Sequence, residues 1–178
     1  MHHIYHTEGI ILGSSNQGEA GKYFSIFTRD LGMIYATAQG IRKMSSKLRF
    51  VLQDFAYLKI DLVAGKNIFR VTSASKTNAL EQITKTPETF KVFANIARLL
   101  KRLLAGVEPN GALFADVLNG LFVLEKTKTK EDLLNIEAII VLRILNNLGY
   151  IGENEILQNL IKSPFEENIV FEVSKSRA

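Results

Sequence analysis

Between residues 3 and 73 the chain carries five short strand-like runs, and no helix-period segment of useful length separates them. That constrains the fold more than any other feature. Parallel neighbours need a crossover of a dozen or more residues, usually a helix, so a βαβ sheet is excluded here. The first run covers residues 3–14, with Ile4, Tyr5 and Ile10–Leu12, broken at Gly9 and ending at Gly13. Asn16 to Gly21 reads as a loop. The second run, Lys22–Arg29, places Phe24 and Ile26 on one face and Tyr23, Ser25 and Phe27 on the other. Asp30 to Gly32 turn the chain into the third, Met33–Gln39, where Ile34, Ala36 and Ala38 share a face. The fourth, Val51–Val63, alternates Leu58, Ile60 and Leu62 with Lys59 and Asp61, and the fifth is Ile68–Ser73.

Five strands in so short a stretch predict a small closed or partly open barrel. Among such barrels the OB-fold binds oligonucleotides, on the face of its second and third strands. Here those strands carry Lys22, Arg29, Tyr23, Phe27 and Tyr35. The aromatics can stack on bases, or Tyr23 and Phe27 can instead close the barrel. After Gly40 comes the loop Ile41–Arg49, with Arg42, Lys43, Lys47 and Arg49, two serines and no acid. Such a cluster suits a phosphate backbone, because the cations displace condensed counterions and the hydroxyls donate hydrogen bonds. The alternative is a solvated turn that keeps a sheet edge soluble.

Charge divides the chain. Residues 1–80 hold ten Lys and Arg against five acids, a net +5, while residues 81–178 hold twelve against thirteen, a net −1. The basic half therefore expects a polyanion, and a domain boundary is expected near residue 80. We expect residues 1–80 to form the OB-fold domain and residues 81–178 a helical domain, an α+β architecture. In that second part Thr86 is an expected N-cap and Pro87 the first helical residue. Phe90, Phe93, Ile96, Ala97, Leu100, Leu103 and Leu104 fall on one face, with Arg98, Lys101 and Arg102 opposite or at its border. Further helices are expected over 111–124 and 130–148, the latter apolar almost all round between Ile136 and Leu145. A short helix over 153–161, stopped at Pro164, and a strand or extended tail over 168–173 complete the expectation.

Site chemistry for catalysis is sparse. The first half offers only Glu8, Glu19, Asp30, Asp54 and Asp61, scattered between strands, and no phosphate loop or nucleophile elbow occurs. We expect no enzyme and no cofactor. The chain lacks cysteine, so disulfides, thiolate metal sites and thiol nucleophiles are excluded. His2, His3 and His6 have no spacing that defines a metal geometry, and a solvated N-terminus explains them. No apolar run is long enough to span a bilayer and no secretory signal is visible, so a cytoplasmic protein without membrane contact is expected.

The order Glu8, Gly9, Ile10, Ile11, Leu12, then Gly18, Glu19, Lys22, then Thr28, Arg29, Leu31, Gly32 resembles the N-terminal domain of the recombination mediator RecO. The resemblance continues through Gly40, Arg42, Ser46, Leu48, Gln53 and Phe55. Pro109 before Leu113 and Phe114, and Leu145 with Leu148, Gly149 and Tyr150, are similar to that family's helical domain. Each motif is short, but their order and spacing run over some 150 residues. The resemblance implies an OB-fold followed by a helical domain. It implies binding of single- and double-stranded DNA, annealing of complementary strands and loading of recombinase onto DNA coated by single-strand-binding protein. RecR and the acidic C-terminal tail of single-strand-binding protein are the implied partners, the tail meeting Arg98, Lys101 and Arg102. Many family members carry a four-cysteine zinc finger after the Leu-Gly-Tyr segment; this chain has none, so no zinc is expected. Phosphate contacts are assigned to Arg42, Lys43, Lys47 and Arg49, with Lys22, Arg29, Lys66 and Arg70 next and Tyr35 as a stacking platform. The alternative from a different class is an OB-fold adaptor whose basic loop meets an acidic protein.

Overall fold

The computed structural model describes residues 3–77, 79–104, 106, 108–152, 158 and 159. The element order is β1 (Ile4–Gln17), β2 (Gly21–Thr28), β3 (Gly32–Ala38), β4 (Tyr57–Ala64), β5 (Phe69–Lys76), α1 (Pro87–Leu103), α2 (Gly111–Lys126) and α3 (Lys130–Asn147). A 3₁₀ turn, Lys47–Phe50, lies between β3 and β4.

The five strands close into a barrel in the order β1-β2-β3-β5-β4, with β4 returning to β1. All pairings are antiparallel except β3 with β5. This is the expected OB-type barrel followed by helices. Closure depends on the long β1: residues 4–10 pair with β4 and residues 9–17 with β2. The register with β2 slips between Ile11 and Gly13, a bulge that bends β1 from one neighbour to the other. Burial follows the pleat. Phe24, Ile26, Ile34, Ala36, Leu58, Ile60 and Leu62 point inward and exclude water almost completely.

The strand limits differ from expectation at several points, and β5 runs on to Lys76 rather than stopping at Ser73. β1 runs unbroken through Gly9, which pairs with Thr28 on one side and Leu58 on the other. A Cβ there would sit 2.9 Å from Ile26 Cγ2, so a strand interior needs the missing side chain. β1 also continues past Gly13 to Gln17, because the β2 partner residues extend the ladder. β4 begins at Tyr57 rather than Val51. Residues 51–56 form a turn in which Leu52 is buried and Phe55 has φ 67°. Gly32, at the β2–β3 turn, has φ 68°, and a Cβ there would lie 2.2 Å from the Glu108 carbonyl oxygen.

The chain divides into two compact units. The first comprises Met1–Glu81 with Ala97–Gly111, so the second half of α1 groups with the barrel. The second comprises Gln82–Ile96 and the chain from Ala112 onward. Within it, Leu113, Phe114, Val117 and Leu121 of α2 and Ile136, Ile140 and Ile144 of α3 are buried. Thr129 caps α3, accepting a hydrogen bond from the Asp132 amide. At its other end the Tyr150 amide donates to the Leu145 carbonyl and the Gly149 amide to Asn146, with Gly149 at φ 76°. Phe93, Ile96, Ala97 and Leu100 of α1 are buried as expected, whereas Phe90 is exposed; it stands in the first turn, ahead of the buried row.

The stretch Ile136–Leu145 is not wholly apolar in its setting. Arg143 is buried within it, 3.6 Å from the Asp116 carboxylate, and burial lowers its pKa while Asp116 opposes that shift. Of the helix expected over 153–161, only Gln158 and Asn159 are described, and they are helical; Pro164 and the segment 168–173 lie outside the described residues. Among the described residues no helix is long and apolar enough to cross a membrane.

Candidate nucleic-acid interface

The basic loop between β3 and β4 is built by alternating anchors and exposed charges. Gly40, at φ 69°, ends β3 and starts the turn. Ile41 and Leu52 are buried and Leu48 packs against the barrel core, which fixes both ends of the loop and its middle. Backbone hydrogen bonds knit the segment: Lys43 N to Gly40 O at 3.0 Å, Ser46 N to Lys43 O at 3.1 Å and Leu52 N to Leu48 O at 2.8 Å. Between these anchors Arg42, Lys43, Lys47 and Arg49 are all exposed. Among the described residues, none of the four lies within salt-bridge distance of a carboxylate. Two contacts tie the loop to the tip of the β1–β2 hairpin. The Arg42 amide donates to Ala20 O at 3.0 Å and its guanidinium to Gly18 O at 3.4 Å.

Two depressions flank the loop. One, of about 280 Å³, is lined by Lys22, Ile41, Arg42, Arg49, Leu52 and Gln53. The second, of about 580 Å³, runs between the β1–β2 hairpin tip and the end of β3, with Lys43, Thr37 and Ile68 on its walls. Thr37 links that groove to the outer face of the sheet, since it pairs with Tyr23 on β2 and Arg70 on β5. On that face Tyr35 is exposed and stacks on Tyr23, ring centroids 5.5 Å apart. Burial, and then the neighbouring Tyr35, raise the Tyr23 pKa above its ordinary value. Phe27, on the same side of β2, is buried and presents no platform.

The structure thus brings Lys22, Arg42 and Arg49 to one groove and Lys43 to the next, with Arg70 beside Thr37 and Lys66 exposed in the β4–β5 turn. It does not bring Arg29 to them. Arg29 stands at the other end of β2, its guanidinium 3.1 Å from Glu8 Oε2, the oxygen that also accepts from the Tyr57 hydroxyl at 3.0 Å. Arg98, Lys101 and Arg102 are exposed along the second half of α1, with Lys101 and Arg102 in its last turn, where cations also favour the helix dipole. Gln53, which enters the sequence reading only through the family resemblance, and Thr37 are not among the expected site residues; neither carries charge, and only the closed barrel places them at the grooves. Among the described residues no cluster of three or more His, Cys, Asp or Glu could hold a metal ion.

Residues 1–80 match the family model described as "Recombination protein O N terminal". The "DNA repair protein RecO" of Heliobacterium modesticaldum is 30% identical over 151 residues, which is 84% of this chain and 53% of the relative. Those of Thermodesulfovibrio yellowstonii and Desulfitobacterium hafniense are 30% and 26% identical, over 84% and 83% of this chain and 59% and 52% of the relatives. The barrel matches the RecO N-terminal domain, and similarity to RecO proteins continues into the helices. The chain spans about half the length of the curated relatives it matches. The RecO resemblance therefore covers the barrel and reaches into the helices, well beyond the basic loop alone.

Proposed function

We propose that this chain is a RecO-type protein that acts in DNA repair and recombination, without catalytic chemistry, by binding single- and double-stranded DNA on its barrel. One observation carries the reading. Four cations of the β3–β4 loop are exposed, without carboxylate partners among the described residues, and three of them, Arg42, Lys43 and Arg49, line grooves at the barrel surface. Arg42, Lys43, Lys47 and Arg49 neutralise phosphates, Lys22 and Arg70 extend the cationic path, and Lys66 adds charge from the β4–β5 turn. Tyr35, held by Tyr23, offers a stacking surface.

That arrangement supports an annealing role. Two polyanions must be held close while their bases search for partners. Cations screen the repulsion between phosphates, and a few stacking contacts keep strands extended without fixing register. The relatives' name, "DNA repair protein RecO", supports the pathway. In this reading RecR and the acidic tail of single-strand-binding protein are the protein partners, the tail meeting Arg98, Lys101 and Arg102, and the product is recombinase loaded onto coated DNA.

The test is a strand-annealing assay with complementary oligonucleotides, naked or saturated with single-strand-binding protein. Acceleration of both reactions supports the proposal. Failure to accelerate annealing of naked strands defeats it.

A further inference from the structure

We infer that Met44 and Phe50 form a rigid apolar prong that stacks on nucleic-acid bases, so that the β3–β4 loop contacts bases as well as phosphates. The inference rests on the DNA-binding reading above and deepens it. Met44 is 84% exposed, the most of any large apolar side chain among the described residues, and Phe50 is 65% exposed, equal to Tyr150. Met44 and Phe50 lie on the Ile41–Leu52 segment, whose residues Ile41, Leu48 and Leu52 turn inward. The loop thus sorts its apolar side chains into anchors and projections. Neither projection supports the barrel core.

Arg49 joins the two. Its guanidinium lies 5.5 Å over the Phe50 ring, and one of its N–H groups donates to Met44 Sδ at 3.0 Å. The prong is therefore two apolar groups held around a cation, on a loop already ordered by its own backbone hydrogen bonds. Little ordering entropy remains to be lost on binding. No acidic residue occurs between Gly40 and Gln53. The occupant must be anionic and must also offer flat apolar faces. A nucleic acid with accessible bases satisfies both demands, and side chains of these types enter or cover base steps in other complexes. An anionic lipid surface shares the charge and the apolar character. The nucleic acid is favoured because Arg49, which holds the prong, also lines the groove shared with Lys22 and Arg42.

The test uses the full chain, a fluorescently labelled single-stranded oligonucleotide containing 2-aminopurine, and vesicles of anionic phospholipid. The double substitution Met44→Ala with Phe50→Ala should weaken oligonucleotide binding about tenfold. It should leave the slope of log affinity against log salt unchanged, since no cation is removed, and reduce the change in 2-aminopurine fluorescence to the share left by Tyr35. Phe50→Tyr alone should retain binding. Both positions are exposed, so the melting temperature should stay at its wild-type value. Binding by the double variant within about twofold of wild type overturns the prong and leaves the phosphate reading standing. So does a loss confined to vesicle binding. Failure of the unmodified chain to bind the oligonucleotide overturns both.

Discussion

Tyr23 and Tyr35 stack across β2 and β3 with ring planes inclined by 23°. They are diagonal neighbours, since Tyr23 pairs with Thr37 and Ser25 with Tyr35. The contact leaves Tyr35 exposed but held in one orientation. Tyr35→Ala should therefore weaken binding of a single-stranded oligonucleotide about fivefold or more, with little change in melting temperature, while Tyr35→Phe preserves affinity. Fluorescence anisotropy with both variants checks this.

Arg29, just past the end of β2, provides the contrast. Its guanidinium is engaged by Glu8 at the end of β2 remote from Lys22. Arg29→Gln should leave oligonucleotide affinity within about twofold of wild type, whereas Arg42→Gln should reduce it, because a phosphate contact is worth more than a distant field screened over a Debye length. The same anisotropy titration separates them.

How far the sequence carries can be read from these residues. Alternation in Phe24, Ile26, Ile34, Ala36, Leu58 and Ile60 specifies the inward faces, because a one-residue slip would move every one of them into water. The barrel and its cationic loop follow from that pattern and from glycine placement. The pairing of Arg29 with Glu8 does not. It joins residues 21 apart on neighbouring strands, and charge counting treats Arg29 like any other lysine or arginine. Arg143 escapes for a related reason: a single cation in a helix reads as solvated until its position relative to Asp116 is known. The exposure of Phe50 is equally invisible in sequence, where it stands among Leu48, Val51 and Leu52.

Tyr57 makes a pH prediction. Burial, then its hydrogen bond to Glu8 and the Glu8 charge, push the phenol up to about 12, against a smaller opposing effect from Arg29. The folded pKa exceeds the unfolded value of about 10. The resulting stabilisation is complete below pH of about 10 and is lost as pH rises towards about 12, at most about 2–3 kcal/mol. Tyrosinate absorbance should show a phenol titrating near 12 that is absent from Tyr57→Phe, and the variant should lose less stability across that window.

Gly32 and Gly40 share a positive φ but not their surroundings. A Cβ at Gly32 meets the Glu108 carbonyl at 2.2 Å, whereas at Gly40 the nearest atom is Lys43 Cδ at 3.8 Å. Gly40→Ala should cost about 1 kcal/mol from backbone strain alone, and Gly32→Ala about 2 kcal/mol or more because a backbone atom must also shift. Thermal melts of the two variants give the comparison.

The salt dependence of single-stranded DNA binding tests the central claim most directly. With Arg42, Lys43, Lys47 and Arg49 all changed to Gln, the slope of log affinity against log salt should become shallower by roughly 2 to 3, the share of four phosphate contacts on a single strand. A slope equal to that of the wild-type chain would show that the β3–β4 loop does not meet the phosphates.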